Sequence, residues 1–177
     1  MSVKTFTMTL AAAVVMAACS TRTVAPSGVT PQASWAQQIQ QTRDDYKKIT
    51  VVVGGDIEQK RNTIILRSTR SDSFRSEDGI VVYVVARMSE WKFLDTTYSI
   101  DGKTWKTSVV DRDVRSCSRY GCSLAEHLAV FVDRNYLMAH TETGIDFKIT
   151  GKRGEETVYI PGKYIAAFLD RLPTKSP

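Results

Sequence analysis

From Thr50 to Ile160 the chain is a succession of short segments rich in Val, Ile, Thr and aromatic residues, separated by turn residues. That pattern constrains the fold more than anything else in it. Residues 50–53, 62–70, 79–88, 91–100 and 105–114 each have the length and composition of a strand. Asp101-Gly102 suits a two-residue hairpin turn, because both residue types tolerate positive φ. Ile80 to Val85 is apolar at every position, the pattern of an interior strand covered on both faces. Residues 126–132 read as another strand; if Ser123-Leu124-Ala125-Glu126 serves as a capping box they read as a helix, and both readings stand. Asp133 can cap a short helix over 134–142 that Gly144 ends. Residues 145–150 and 156–160 flank Gly151-Lys152-Arg153-Gly154, a tight hairpin loop.

Helical spacing is found at the two ends of this β-rich stretch. Ser34-Trp35-Ala36-Gln37 has the form of a capping box, and Trp35, Ile39, Tyr46 and Ile49 then recur at near-helical intervals, predicting a helix over 35–48. Pro161 can open a last helix that carries Tyr164, Ile165, Phe168, Leu169 and Leu172 on one face, with Pro173 as its stop. The expected class is therefore α+β: an antiparallel β-sheet or sandwich flanked by an N-terminal helix and a C-terminal helix.

The start of the chain follows other rules. Lys4 precedes an apolar segment from Phe6 to Ala18, broken only by Thr7 and Thr9 and ending in small residues. It is too short to span a bilayer, which takes ~20 apolar residues. The run Val15-Met16-Ala17-Ala18-Cys19 resembles the lipobox of bacterial lipoproteins, with Met16 where that family usually has Leu. The resemblance implies a signal peptide over 1–18, cleavage before Cys19, a diacylglycerol on its thiol and acylation of the new amino end. In that family an Asp after the cysteine favours inner-membrane retention. Ser20 stands there instead, which implies the outer membrane, facing the periplasm. One acyl chain binds marginally and several bind firmly, at ~0.8 kcal/mol per buried CH₂. Residues 20–33, STRTVAPSGVTPQA, are polar and aperiodic and read as a flexible tether. Residues 34–177 then form one globular domain of ordinary size. The stretch from Val130 to Leu172 resembles uncharacterised exported proteins, a likeness that implies no activity.

Charge and cysteine content narrow the function classes. The whole chain has 24 Lys and Arg against 19 Asp and Glu, a formal net charge of +5, with opposite signs interspersed as in Asp111-Arg112-Asp113. No basic stripe or helix stands out, so nucleic-acid binding has little support. Cys117 and Cys122 remain as a pair in an oxidising compartment once Cys19 is lipidated, which favours a local disulfide. Free thiols, or zinc held by Cys117, Cys122, His127 and His140, are the competing readings, although the spacing fits no standard zinc pattern.

Motifs that match chemistry in letters fail in context. Gly102-Lys103-Thr104 lacks the preceding glycine of a phosphate loop, Ser89-Glu90-Trp91-Lys92 lacks its companion motifs, and Pro161 interrupts Tyr159 to Lys163. His127 and His140 are the only histidines; Ser123 would meet His127 only on a helix. Asp111 and Asp113 share a strand face and could hold a cation with Asp95 or Asp101, but Arg112 and Arg115 make an ion-pair lattice the preferred reading. Trp91, Trp105 and Tyr120 line a ligand groove or belong to the core. No catalytic residue, cofactor or metal is assigned. The expected function is a lipid-anchored, non-catalytic binding or accessory module for an envelope protein partner; the alternative is a periplasmic hydrolase or metal-dependent enzyme using His127 or His140.

Overall fold

A computed structural model describes residues 35–72 and 79–173. Cys19 and the segments expected as signal peptide (1–18) and tether (20–33) lie outside the described residues. Strands come in the order β1 (Gln40–Asp44), β2 (Ile49–Val53), β3 (Ile57–Gln59), β4 (Asn62–Ser71), β5 (Gly79–Met88), β6 (Leu94–Ser99), β7 (Thr104–Trp105), β8 (Thr107–Ser118), β9 (Gly121–Val132), β10 (Ile145–Gly151) and β11 (Gly154–Ile160). Helix α1 (Trp35–Gln38) precedes them, α2 (Arg134–Ala139) follows β9, and α3 (Gly162–Asp170) comes last. The architecture is thus mostly antiparallel β, with helices contributing less than the α+β expectation held.

Seven strands form the larger sheet in the order β1-β2-β4-β5-β9-β8, with β3 also paired to β4, and four form the smaller one as β11-β10-β6-β7. Every pairing is antiparallel. Alternate residues of β4, β5 and β9, such as Ile64, Leu66, Val82, Val84, Leu128 and Val130, enter one core with Leu94, Phe147, Ile149, Val158 and Ile160 of the smaller sheet. Period-2 alternation makes this possible, because it gives each strand one apolar face. β5 is an interior strand, as Ile80 to Val85 require, with its core-facing side fully buried and the other half-covered. The open choice at 126–132 resolves as strand: β9 pairs with β5 from Leu124 to Val132 and with β8 along its other side. Ser123 to Glu126 therefore cap no helix.

The N-terminal helix over 35–48 is overturned. It lasts one turn, and residues 40–44 instead run as β1 against β2. The reason is local and tertiary at once. Asp44 Oδ1 accepts the N–H groups of Tyr46 and Lys47, and Lys48 takes a positive φ, so the chain reverses there. The edge of β2 then offers β1 a ladder of hydrogen bonds that a short isolated helix cannot match. Trp35 and Ile39 are buried as their apolar character demands, whereas Tyr46 is fully exposed at the turn. Residues 91–93 also fall outside the expected strand 91–100, for a reason given below.

The C-terminal helix behaves as read. Tyr164, Ile165 and Phe168 are buried, Leu172 follows them, and Pro161 stands at the N-cap. Tyr164 meets Trp35 edge to face at 4.9 Å between ring centroids. Its hydroxyl accepts the N–H of Leu66 at 3.1 Å and donates to the carbonyl of Gly55 at 2.8 Å. These are the backbone groups left over where β2 ends and β3 begins. A Cβ on Gly54 would lie 2.1 Å from that hydroxyl, so glycine is required for the approach. Asp133 caps α2 as expected, accepting the N–H groups of Asn135 and Tyr136. Among the described residues no helix is long and apolar enough to cross a membrane.

Candidate functional site

The cysteines settle first. Cys117 and Cys122 stand opposite each other near the end of the β8–β9 hairpin and form a disulfide, with Cα atoms 4.0 Å apart. Neither has a thiolate to offer a metal, so the Cys–His zinc set is excluded. Tyr120 projects from the turn, 83% exposed, beneath the Arg119 guanidinium.

The histidines occupy separate clusters. His127 points from β9 to the face of the large sheet opposite the core. Its Nδ1 is 2.8 Å from the Tyr83 hydroxyl, and its Nε2 is 3.6 Å from Asp113 Oδ1, too long for a hydrogen bond. Burial, followed by the charge of Asp111, raises the Tyr83 pKa above its ordinary value. Ser123 lies four residues away along an extended strand, roughly 13 Å, so the Ser–His fragment does not form. His140 ends α2, where its Nδ1 contacts the Tyr136 carbonyl at 2.7 Å and its ring stacks on Tyr136 at 4.2 Å. Asp101, in the β6–β7 turn, binds the hydroxyls of Ser99 and Tyr136, and the Ser99 bond holds its carboxyl below the usual range. Asp111 and Asp113 do share the outer face, but no set of three His, Cys, Asp or Glu side chains converges among the described residues. Arg115 pairs with Asp113 at 3.4 Å, as the lattice reading expects. Arg112 does not join it, because strand alternation sends it to the opposite face.

There Arg112 meets Glu126, which the sequence offered only as a strand or capping residue. Glu126 is 0% exposed. Its carboxylate accepts three successive backbone N–H groups, those of Lys92, Phe93 and Leu94, at 2.9, 2.7 and 2.8 Å, and lies 3.3 Å from Arg112 Nε. Turning three amides toward one carboxylate requires Phe93 to take φ 56°, and this is why the chain at 91–93 leaves strand geometry. Phe93 sits between the Arg112 and Arg153 guanidinium groups, 5.4 and 5.7 Å from its ring centre. Gly151 packs on the Phe93 and Lys92 carbonyls, where a Cβ would approach to 2.4 Å.

The loop so fixed forms one wall of a basic groove. Two tight turns supply others: Lys60-Arg61 between β3 and β4, and Lys152-Arg153 between β10 and β11. A space of about 210 Å³ is lined by Arg61, Arg87, Met88, Ser89, Glu90 and Lys92, closed by Arg153 and Glu156. It adjoins a second space of about 410 Å³, which shares Arg61, Arg87, Met88 and Ser89 and extends past Lys60 to Cys122 and Ser123 of the disulfide hairpin. Backbone bonds hold the parts in place, from Arg87 N–H to the Arg61 carbonyl at 3.2 Å and from Arg153 N–H to the Lys92 carbonyl at 3.0 Å. Lys92 Nζ pairs with Glu156 at 2.7 Å and Arg87 with Glu58 at 3.5 Å. Two guanidinium forks and a lysine are left facing solvent, a set suited to holding anions.

The aromatic candidates do not assemble. Trp105 is core, packed on Tyr136 and Phe147; Trp91 is half-buried against the core; Tyr120 lies at the hairpin tip. Ser89 and Lys92 do line the groove, but on a loop and not on a helix. Lys60, Arg61, Arg87 and Arg153 were not singled out from the sequence. The only signal for Lys60, Arg61 and Arg153 is the recurrence of basic residues at the tips of two hairpins, and Arg87, within β5, has none. No protein-family model, curated protein or solved structure matches the chain.

Proposed function

We propose that this chain is a lipid-anchored envelope lipoprotein, held at the outer membrane through Cys19, whose β-rich domain is a non-catalytic binding module for another envelope component. The groove between the Lys60-Arg61 and Lys152-Arg153 turns carries this reading: its walls are braced by backbone hydrogen bonds and by the buried Glu126, and its lining is cationic. Rigid support for exposed charged side chains favours recognition. The disulfide that borders the groove is consistent with an exported domain. Pull-down from membranes solubilised in mild detergent tests it. The wild type should recover an envelope component that the charge reversals Arg61→Glu and Arg153→Glu together release. Recovery of the same material by both proteins would defeat it.

A periplasmic hydrolase or metal-dependent enzyme is favoured by one observation, the approach of His127 to both Tyr83 and Asp113. That cluster is on the open sheet face, and neither groove includes His127 or His140 in its lining. The enzyme reading requires ester or phosphoester turnover that His127→Ala abolishes, and a wild type inert toward such substrates removes it.

A further inference from the structure

We infer that the groove recognises a phosphorylated anion, a phosphate monoester or pyrophosphate group, clamped between Arg61 from the larger sheet and Arg153 from the smaller one; this rests on the binding-module reading and names its ligand class. The inference begins with charge. Lys92 and Arg87 are neutralised by Glu156 and Glu58, whereas Lys60, Arg61 and Arg153 have no carboxylate partner among the described residues. Glu90 is the one lining carboxylate without a cation, so the groove holds an excess of two positive charges. A phosphate monoester carries about −1.5 to −2 at pH 7 and matches that excess, whereas a single carboxylate matches half of it.

Geometry points the same way. Arg61 and Arg153 stand on hairpins of different sheets yet line the same space of about 210 Å³, so their forks come from different elements. A planar carboxylate presents two oxygens in one plane. A phosphate presents three terminal oxygens around a tetrahedral centre and can engage two forks at once. Ser89 adds a hydroxyl to the same lining. The adjoining space of about 410 Å³ lies within the ~300–1,000 Å³ typical of small-molecule sites and has room for the organic part of a monoester. Arg153 is also preorganised, because its guanidinium lies over Phe93, whose position Glu126 sets.

The phosphate could belong to a soluble metabolite or to a lipid headgroup, and the experiment separates these. The full chain in non-ionic detergent micelles is titrated at low ionic strength with inorganic pyrophosphate, then with phosphatidic acid doped into the micelles, with acetate as comparison. Wild type should bind pyrophosphate and ignore acetate. Arg61→Gln with Arg153→Gln should weaken binding about tenfold or more, since each charge-assisted bond contributes that order. The paired Arg→Lys changes, which keep charge and lose the forks, should fall between. Lys106→Gln, over the Phe131 ring away from the groove, should change nothing. Displacement of pyrophosphate by phosphatidic acid identifies a headgroup; binding of pyrophosphate alone identifies a soluble ligand, and either supports the inference. A wild type that binds neither, or Lys106→Gln weakening binding as much as the arginine changes, overturns it. Near-ultraviolet circular dichroism separates a lost site from a lost fold. If pyrophosphate fails while the pull-down still depends on Arg61 and Arg153, the ligand class falls and the binding module stands.

Discussion

At the scale of single residues, two buried polar groups do more for this fold than their numbers suggest. Tyr164 closes the gap between β2 and β3 with its hydroxyl, so Tyr164→Phe should leave Leu66 N–H and Gly55 C=O without that partner and cost about 1–3 kcal/mol in urea unfolding. Burial pushes the Tyr164 pKa up to about 12, against about 10 in the unfolded chain. The neutral form is favoured by folding, so the contribution is whole below pH 10 and falls as pH rises toward 12. The loss amounts to about 2–3 kcal/mol across that window. Wild type should therefore approach Tyr164→Phe in stability between pH 10 and 12; parallel curves would refute the assignment. Glu126 is the second such group. Glu126→Ala leaves Arg112 and three amides unanswered and should cost about 3–5 kcal/mol, read from the denaturation midpoint. Glu126→Gln, which keeps the shape, should cost less.

At the scale of elements, hairpins carry the candidate site and pairing decides what the ends of the chain become. The Cys117–Cys122 bond closes a short loop, so replacing both with Ser should lower stability by about 2 kcal/mol, by loss of the constraint on the unfolded chain. Urea titration with and without reductant checks this: reductant should shift the wild type and leave the double variant in place. α1 and β1 together cover Tyr164 and the edge of β2. A chain beginning at residue 50 should therefore melt lower and aggregate, because it bares an apolar contact and an unpaired strand edge. An unchanged melting temperature would mean that 35–49 is no part of the domain.

For the whole molecule, the proposed function assigns location and recognition to separate segments. Cys19 should carry the lipid and the domain should carry the binding. Metabolic labelling with a clickable palmitate should mark the wild type and not Cys19→Ser, while the variant keeps its melting transition. Labelling of both would remove the anchor and leave the groove untouched. Charges that alternate in sequence are sorted by strand alternation, with Asp111, Asp113 and Arg115 on the outer sheet face and Arg112 turned inward to Glu126, while the groove keeps an excess of cations.

Much of this was legible from local chemistry. The strand runs, the Asp133 cap, the Cys117–Cys122 pair and the last helix depend on residues close in the chain, whose conformational preferences hold wherever the segment is placed. A turn forms at Asp101-Gly102 too, but as a loop over 100–102 with only Gly102 at positive φ instead of the two-residue hairpin expected. The segment 35–48 was misread because helical spacing over four apolar residues is weak, and the edge of β2, met only after folding, supplied a stronger set of hydrogen bonds. The roles of Glu126 and of the basic residues were beyond local reading altogether. Glu126 serves amides more than thirty positions earlier, and Arg61 and Arg153 share a groove although 92 positions separate them. Local sequence determined most of the elements, β1 excepted; the stacking of two sheets decided which charges face each other, because that contact depends on topology and not on any neighbour along the chain.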